Sequence, residues 1–462
     1  MNKNFSFSFN WSDEKLIKTH RQAHFPITAS QSGKAQVVFF WWDLTMDPEE
    51  EIIISCAPVW EHPDSKDSNS KGNHAGNPAT HIPWRDHWMQ AVYFLTSETV
   101  LNKGDQFTLI SNHDEFSFWF QITQSQDFNS CQNEKEIESM RPVCNCSFHF
   151  LLSRTRIGAI NDERRRNLYL QSLKKIINTE STCILLGDMS LLGILIGKLG
   201  ARKICILETN GLVSNVVEKI AKLNNVKDVI SIYSSTAQIL KDVDKSNNIL
   251  ILSEPFFRNA ILPWDNISFW YLKNELENNL NKNSIKTVFP KRCRVKACAV
   301  QFDDLWKIST RLNTCEGFNM NLFDDLIESA KEKAQSYTEA QPLWEYPGIA
   351  LTYPVTLFDF NFEEGIPSKK VKREGKSSFA FDCRCDGVAL WMEYDLEENF
   401  MLTSGPVKDV VLNEYISWDM FERQGVHLFR DTPKVSKGDT LYYDVEFNPE
   451  TGEFEYYFSF GS

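Results

Sequence analysis

The sequence predicts a nucleotide-type α/β domain set between two β-rich domains, and three observations carry that expectation. The middle of the chain alternates strand-like apolar runs at 182–187, 203–208, 227–232, 248–253 and 284–289 with helical patterns such as SNVVEKIAKL and FWYLKNELENNL. That alternation is the grammar of a mainly parallel sheet. Two stretches, one near each end, repeat the same order of strand-like runs and turns. A chain of 462 residues has length for several domains with sizeable cores.

The repeat organises the flanks. AQVVFFWWDLTMDPEEE and then AVYFLTSETVLNKGDQFTLISNHDEFSFWF stand near the start; DGVALWMEYDLEENF and then GVHLFRDTPKVSKGDTLYYDVEFNPETGEFEYYF stand near the end. Asp43-Leu44 matches Asp395-Leu396, the turn Lys103–Asp105 matches Lys437–Asp439, and FSFSFNW at 5–11 matches TLFDFNF at 356–362 as a strand. Three ordered matches point to a duplication. If each copy is an α/β half followed by a β half, the first copy is expected here without its α/β half. The expected domains are residues 1–135, with a polar linker over 123–139, then 136–290, then 291–462. Within the last, NLFDDLIESAKEKAQS at 321–336 places Leu322, Leu326 and Ala330 at four-residue spacing and predicts an inserted helix.

Composition narrows the partners. Lys+Arg 49 against Asp+Glu 62 gives a formal charge of −13, which argues against direct nucleic-acid binding and suits basic protein partners. No apolar run is long enough to span a membrane, so none is expected as a partner. The 11 cysteines, several in apolar runs (Cys183, Cys205, Cys298), read as reduced core thiols of an intracellular protein. EHPDSKDSNSKGNHAGNPATH at 61–81 reads as a surface loop with His62, His74 and His81 in solvent.

The segment TCILLGDMSLLGILIGKLGARKICILETN at 182–210 is the opening of the α/β domain. A nucleoside cofactor needs close main-chain approach between first strand and helix, hence glycines there, and an acid at the end of the second strand for the ribose. Glu208 holds the acid position, but the turn around GDMS carries only Gly187.

Long motifs then point to a family: WWDLTMDPE, PWRDHWMQAVYFL, RPVCNC, GAINDERRRNLYLQSL, SEPFFRNAILPW, FDDLWKI, CEGF, PLWEYP and WMEYDL. From about residue 37 onward the chain resembles the tandem-module, monomethylating (type III) protein arginine N-methyltransferases. The resemblance implies modules built of a Rossmann-like methyltransferase domain followed by a β-barrel. It also implies S-adenosylmethionine as cofactor, arginines of histones and other basic proteins as substrate, and a cytoplasmic and nuclear location. In such proteins the first module does the chemistry, and a degenerate second module packs against it as an intramolecular pseudo-dimer. On this reading the chain holds one and a half modules: the first module's barrel, then the whole second module.

Residue by residue, the resemblance implies a damaged site. The family's Gly-x-Gly-x-Gly turn falls on Leu186, Gly187, Asp188, Met189 and Ser190, so its three key glycines are replaced, and Gly187, Asp188 and Glu208 remain as degenerate cofactor positions. A carboxylate at Asp188 about 4 Å from a ligand carboxylate would repel it by roughly 4 kcal/mol at an effective dielectric of about 20, or about three decades in affinity. The family clamps a guanidinium between two glutamates of one loop. Here Glu254 is the first, while the second falls near Pro263, with no acid until Asp265. The family's Thr-His-Trp loop is matched by Asp86-His87-Trp88 in the first barrel, whereas WDMFERQGVHLF in the second has no His-Trp. Cys144 and Cys146, with His149 close by, suggest a structural zinc, and Cys315 and His113, in motifs resembling the family's, are the remaining candidate ligands. Two functions follow: an S-adenosylmethionine-dependent enzyme, or a non-catalytic scaffold that packs against a catalytic module. The motifs lead us to expect this chain to be inactive alone.

Overall fold

A computed structural model describes residues 6–11, 17–62, 88–124, 134–143, 151–243, 248–280, 284–333 and 337–461. The chain divides into two compact units, 1–145 and 146–462.

In the first unit Arg21–Thr28, Gln106–His113 and Phe118–Thr123 form an antiparallel sheet. Gly33–Phe40 pairs with Ala91–Leu101, and Asp43–Thr45 pairs with Ile53–Ser55. Trp119, Phe120, Ile110 and Leu101 form its buried centre. Three expectations fail here. Residues 6–10 are not a strand; Phe7 and Phe9 instead set their rings against His113, with the Arg21 guanidinium over both. The polar stretch after 123 contains a helix, Glu134–Ser139, because Ile137 is buried and good helix formers surround it. His62 is buried rather than solvated, while His74 and His81 lie outside the described residues.

The second unit opens with two helices, Arg154–Asn161 and Glu163–Ile176, capped by Ser153 and Asp162. Five parallel strands follow, in spatial order Ile230–Tyr233, Lys203–Leu207, Thr182–Leu186, Ile249–Ser253 and Ile285–Phe289. The third strand in sequence starts later than its apolar run suggests, since Lys227–Val229 is a turn of 3-10 helix. The strands are buried on both sides, as crossover helices demand. Strand order reverses between Thr182–Leu186 and Ile249–Ser253, so the crevice for a ligand lies beyond the carboxyl ends of those two.

The β half of this unit is a seven-stranded sheet built on Arg292–Phe302 and Gly387–Glu397, together with a three-stranded sheet of Val371–Ser378, Thr440–Asn448 and Glu453–Gly461. One apolar cluster runs without a break from the parallel sheet into these strands, so the two halves share a core. Asn321–Glu332 is helical and inserted in the β half, but Leu322, Phe323 and Leu326 are exposed.

The two Lys-Gly-Asp turns are bonded alike. Asp105 Oδ2 accepts from the Asn102 amide at 2.8 Å, and Asp439 Oδ2 from the Ser436 amide at 2.7 Å. Gly104 and Gly438 take φ of 93° and 98°, and their amides donate to the carbonyls of Ala29 and Phe379. Left-handed backbone at these positions explains why both are glycine.

His427, on the strand Gln424–Leu428, gives this half a pH dependence. Its Nδ1 is buried without a hydrogen-bond partner, and its ring packs among Phe429, Phe458 and Tyr337. Burial pushes its pKa down to about 4. The unfolded chain takes the proton first, near pH 6.5, so this contribution to stability is complete above that pH and is lost as pH falls toward 4. We expect a loss of about 2–3 kcal/mol over that window. His427→Phe should remove that part of the acid dependence in urea titrations run at stepped pH.

Candidate functional site

The site is built at the reversal of strand order. Thr182–Leu186 ends in a turn whose Gly187 has φ of 119° and faces the Glu254 carbonyl, 2.8 Å from where a Cβ would stand. The Asp188 amide donates to the Phe256 carbonyl at 3.0 Å, and its carboxylate accepts from the Arg258 amide at 2.8 Å. Met189 also has positive φ, 56°, and its side chain is buried in the core.

Glu208 lies at the end of the neighbouring strand, only 4% exposed. Its two oxygens accept from the Met189 and Asn210 amides, each at 2.9 Å. Burial raises its pKa, and these amides only partly offset that. The acid at the ribose position thus ties the turn to the next strand.

Glu254, just past Ile249–Ser253, is held by an arginine of the chain itself. Arg156 Nη1 and Nη2 donate to its two oxygens at 2.6 and 2.7 Å, and Ser190 Oγ donates at 2.8 Å. The same guanidinium lies over the Phe256 ring at 4.2 Å and reaches the Met189 carbonyl at 3.3 Å. Burial by itself would raise the Glu254 pKa, but the charge and hydrogen bonds of Arg156 outweigh it and hold the carboxyl below its usual value. Asp265 does not join Glu254: its Oδ2 accepts from the Ile261 and Leu262 amides at 2.8 and 2.9 Å, closing the turn that begins at Pro263.

Next to this pair stands a second buried arginine. Arg165 donates to Asp419 Oδ2 and Glu422 Oε1, both at 2.9 Å, and so joins the helix Glu163–Ile176 to the loop of WDMFERQG. Tyr169, one turn on, has a buried hydroxyl without a partner. Beside it opens a cavity of about 560 Å³ walled by Leu170, Leu191, Ile194 and Leu195. Sequence reasoning missed Arg156, Arg165, Asp419 and Glu422, and it read Ser190 only as a replaced glycine of the turn, not as a donor to Glu254. The available signal was the arginine-rich helix of GAINDERRRNLYLQSL set against acids in the WDMFERQG loop.

The family model described as the arginine methyltransferase oligomerization subdomain matches residues 8–126. "Protein arginine N-methyltransferase 7" of Danio rerio is 35% identical over 98% of this chain, and that of Drosophila erecta 37% identical over 98%. Over nearly its whole length the chain is similar to protein arginine N-methyltransferases. It spans 64% of the length of each of these two relatives. The Trypanosoma brucei PRMT1 enzyme-prozyme heterotetrameric complex with AdoHcy is similar at 12% identity and a TM-score of 0.48, over 68% of this chain and 96% of that one.

For a chain similar to arginine methyltransferases, the fit of a nucleoside cofactor can be tested on these residues, and they do not fit. Leu186, Met189 and Ser190 are buried where a close main-chain cradle is needed, and Glu208 is shielded from any ribose. In the first unit Trp88 packs edge-on to Trp42 at 5.2 Å, and His87 lies outside the described residues. The zinc expectation needs correction at His113. Its Nε2 accepts from Arg21 Nε at 3.1 Å and its Nδ1 bonds the Asp114 carbonyl at 3.1 Å, so neither ring nitrogen is open to a metal. Cys315 is an exposed free thiol on a short hairpin, and Cys144 and Cys146 lie outside the described residues. Among the described residues no group of three His, Cys, Asp or Glu could hold a metal ion.

Proposed function

We propose that these residues are part of an S-adenosylmethionine-dependent protein-arginine N-methyltransferase, and that their α/β domain is its non-catalytic module. The carrying observation is the bidentate Arg156–Glu254 pair. The carboxylate that would clamp a substrate arginine already holds one, and Asp265 of the same loop is engaged elsewhere. The substrates of the whole protein would be arginines in basic proteins such as histones, in keeping with a net charge of −13.

The module's role is to pack against a catalytic one. The exposed Leu322, Phe323 and Leu326 on one helix, and the apolar cavity beside Tyr169, are surfaces that such a partner would cover. The matching bonds of the two Lys-Gly-Asp turns support a duplicated origin, with the first β unit belonging to the catalytic copy.

Isothermal titration of this chain with S-adenosylmethionine is expected to give no saturable binding, and labelled-methyl transfer to a histone-tail peptide should stay at background. Sedimentation with a separately supplied catalytic module of the family should show a complex that Leu322→Asp with Leu326→Asp weakens. A saturable isotherm abolished by Glu208→Ala would overturn the non-catalytic reading.

A further inference from the structure

The cavity beside Tyr169 is a groove between two helices of the second unit. Arg166 and Leu170 line it from Glu163–Ile176, and Ile194, Leu195 and Lys198 line it from Leu192–Lys198. Residues three or four apart share a helix face, so each helix turns one face to the groove. The walls are apolar and the rim is charged. Arg166 and Lys198 stand exposed on the rim with one acid, Glu163, and neither cation has an ion pair among the described residues.

The floor is of a different kind. Tyr169 and Arg165 are buried there, and the Tyr169 hydroxyl and Arg165 Nε have no hydrogen-bond partner. Arg165 Nε stands 3.8 Å from Asp162 Oδ2, beyond bonding reach. Glu254 acts on the Tyr169 hydroxyl more strongly than any other charge and also lines the cavity, so the hydroxyl stands at that deep end. It does not bond Glu254, whose oxygens are taken by Arg156 and Ser190. Burial, and then Glu254, hold the hydroxyl well above the usual tyrosine value, so it remains a donor. A buried donor left unmet is costly, and the deep end therefore favours a ligand that brings an acceptor.

Charge narrows that acceptor. Near the floor three acids, Glu254, Asp419 and Glu422, outnumber the two buried arginines, Arg156 and Arg165. A neutral oxygen suits this end and a carboxylate does not. The rim has the opposite balance, two cations against Glu163, and suits a negative group. Between the two, walls of leucine and isoleucine suit an apolar chain.

We propose that this cavity binds a free medium-chain carboxylate that carries a hydroxyl or carbonyl oxygen at its far end. That oxygen accepts from Tyr169 and Arg165, the chain lies along the leucines, and the carboxylate meets Arg166 and Lys198. Floor and rim are about a helix width apart, roughly 10 Å, which sets a chain of about eight to ten carbons. A plain hydrocarbon would leave both donors unmet. A catalytic module packed over this surface would cover the ligand rather than take its place. Binding is read on this chain alone, so its failure leaves the scaffold reading standing, and the reverse also holds.

The test is isothermal titration of the full chain with ω-hydroxydecanoate, decanoate and decanediol, each below its micelle concentration. We expect a single saturable site for ω-hydroxydecanoate, with decanoate about tenfold weaker because it offers the floor no acceptor. Tyr169→Phe should remove most of that difference and leave decanoate where it was. Arg166→Gln with Lys198→Gln should weaken both acids several-fold and abolish their salt dependence, while decanediol binds weakly to parent and variant alike. Without ligand, Tyr169→Phe should not lower the urea midpoint, since the hydroxyl it removes has no partner. Saturating ω-hydroxydecanoate should raise the midpoint of the parent more than that of Tyr169→Phe, and the same midpoints show that the variants fold. No saturable binding, equal affinity of parent and Tyr169→Phe for ω-hydroxydecanoate, or decanediol binding as tightly as the acids would each overturn the proposal.

Discussion

Arg156→Met is expected to destabilise the second unit by about 3–5 kcal/mol, read as a lower urea midpoint at pH 7, because it strands a carboxylate inside the protein. The side chain of Arg156 is 3% exposed and that of Glu254 14%. Coulomb attraction and two short hydrogen bonds now offset the cost of desolvating both ions. Removing the cation leaves only Ser190 Oγ to satisfy Glu254. Glu254→Leu combined with Arg156→Met should recover most of the loss, since a pair of apolar side chains leaves no charge to solvate.

The pH dependence separates this cause from simple loss of packing. In the parent the Glu254 carboxyl sits below its usual value, so its contribution is complete above the unfolded carboxyl value, near pH 4.3, and is lost as pH falls through the lower folded value. In Arg156→Met the same carboxyl is buried without a cation, and its pKa rises above the ordinary value. Protonation then relieves the variant as pH falls toward that raised value. The gap between parent and variant should be widest at neutral pH and should narrow below about pH 5. Between pH 7 and pH 4.5 Glu254→Gln should show no such narrowing, because the arginine left behind cannot lose its proton. Equal gaps at pH 7 and pH 4.5 for Arg156→Met would show that the pair is not what holds this crevice shut.

Much of the fold was legible because its signals are periodic and local. Apolar runs of five or so residues separated by amphipathic stretches can only be buried parallel strands with crossovers. The Lys-Gly-Asp turns needed glycine at a left-handed position, and both are so placed. The strand expected over 5–11 failed for a physical reason: alternation of Phe with polar residues is also what a segment needs to set rings on a neighbour, as Phe7 and Phe9 do. At the site, sequence reasoning identified which positions carry acids but not what holds them. Glu208 bonds the Met189 amide 19 residues earlier, across a helix and a strand, and Glu254 bonds an arginine 98 residues earlier. A charged helix face reads as solvated unless the acids that meet it are known, and those acids are far along the chain. Arg165 meets its partner Asp419 across 254 residues.

That second arginine should be as sensitive as the first. Arg165→Met is expected to cost about 3–5 kcal/mol at pH 7, because it leaves two buried carboxylates facing one another. Asp419 is 2% exposed at its side chain and Glu422 17%. Asp419 is also pinned by the Phe421 and Glu422 amides at 3.1 and 3.2 Å, so it cannot turn away. Arg165→Lys should recover only part of the loss, since a single ammonium cannot reach both acids as the fork does. Burial already raises the Glu422 carboxyl, against the pull of Arg165 and with a push from Asp419. A carboxyl whose folded value lies above its unfolded one favours the folded state at low pH and costs stability as pH rises through that value. Without Arg165 the Glu422 carboxyl loses the charge that pulled its value down and keeps the push from Asp419, so its value rises further and Arg165→Met should be markedly more stable at pH 5 than at pH 8. Because this arginine joins the α/β helix to the loop of the β half, the loss should appear in both halves at once. Hydrogen exchange should rise together in Glu163–Ile176 and in residues 418–424, and exchange confined to either alone would mean that the contact is local packing rather than a latch between them.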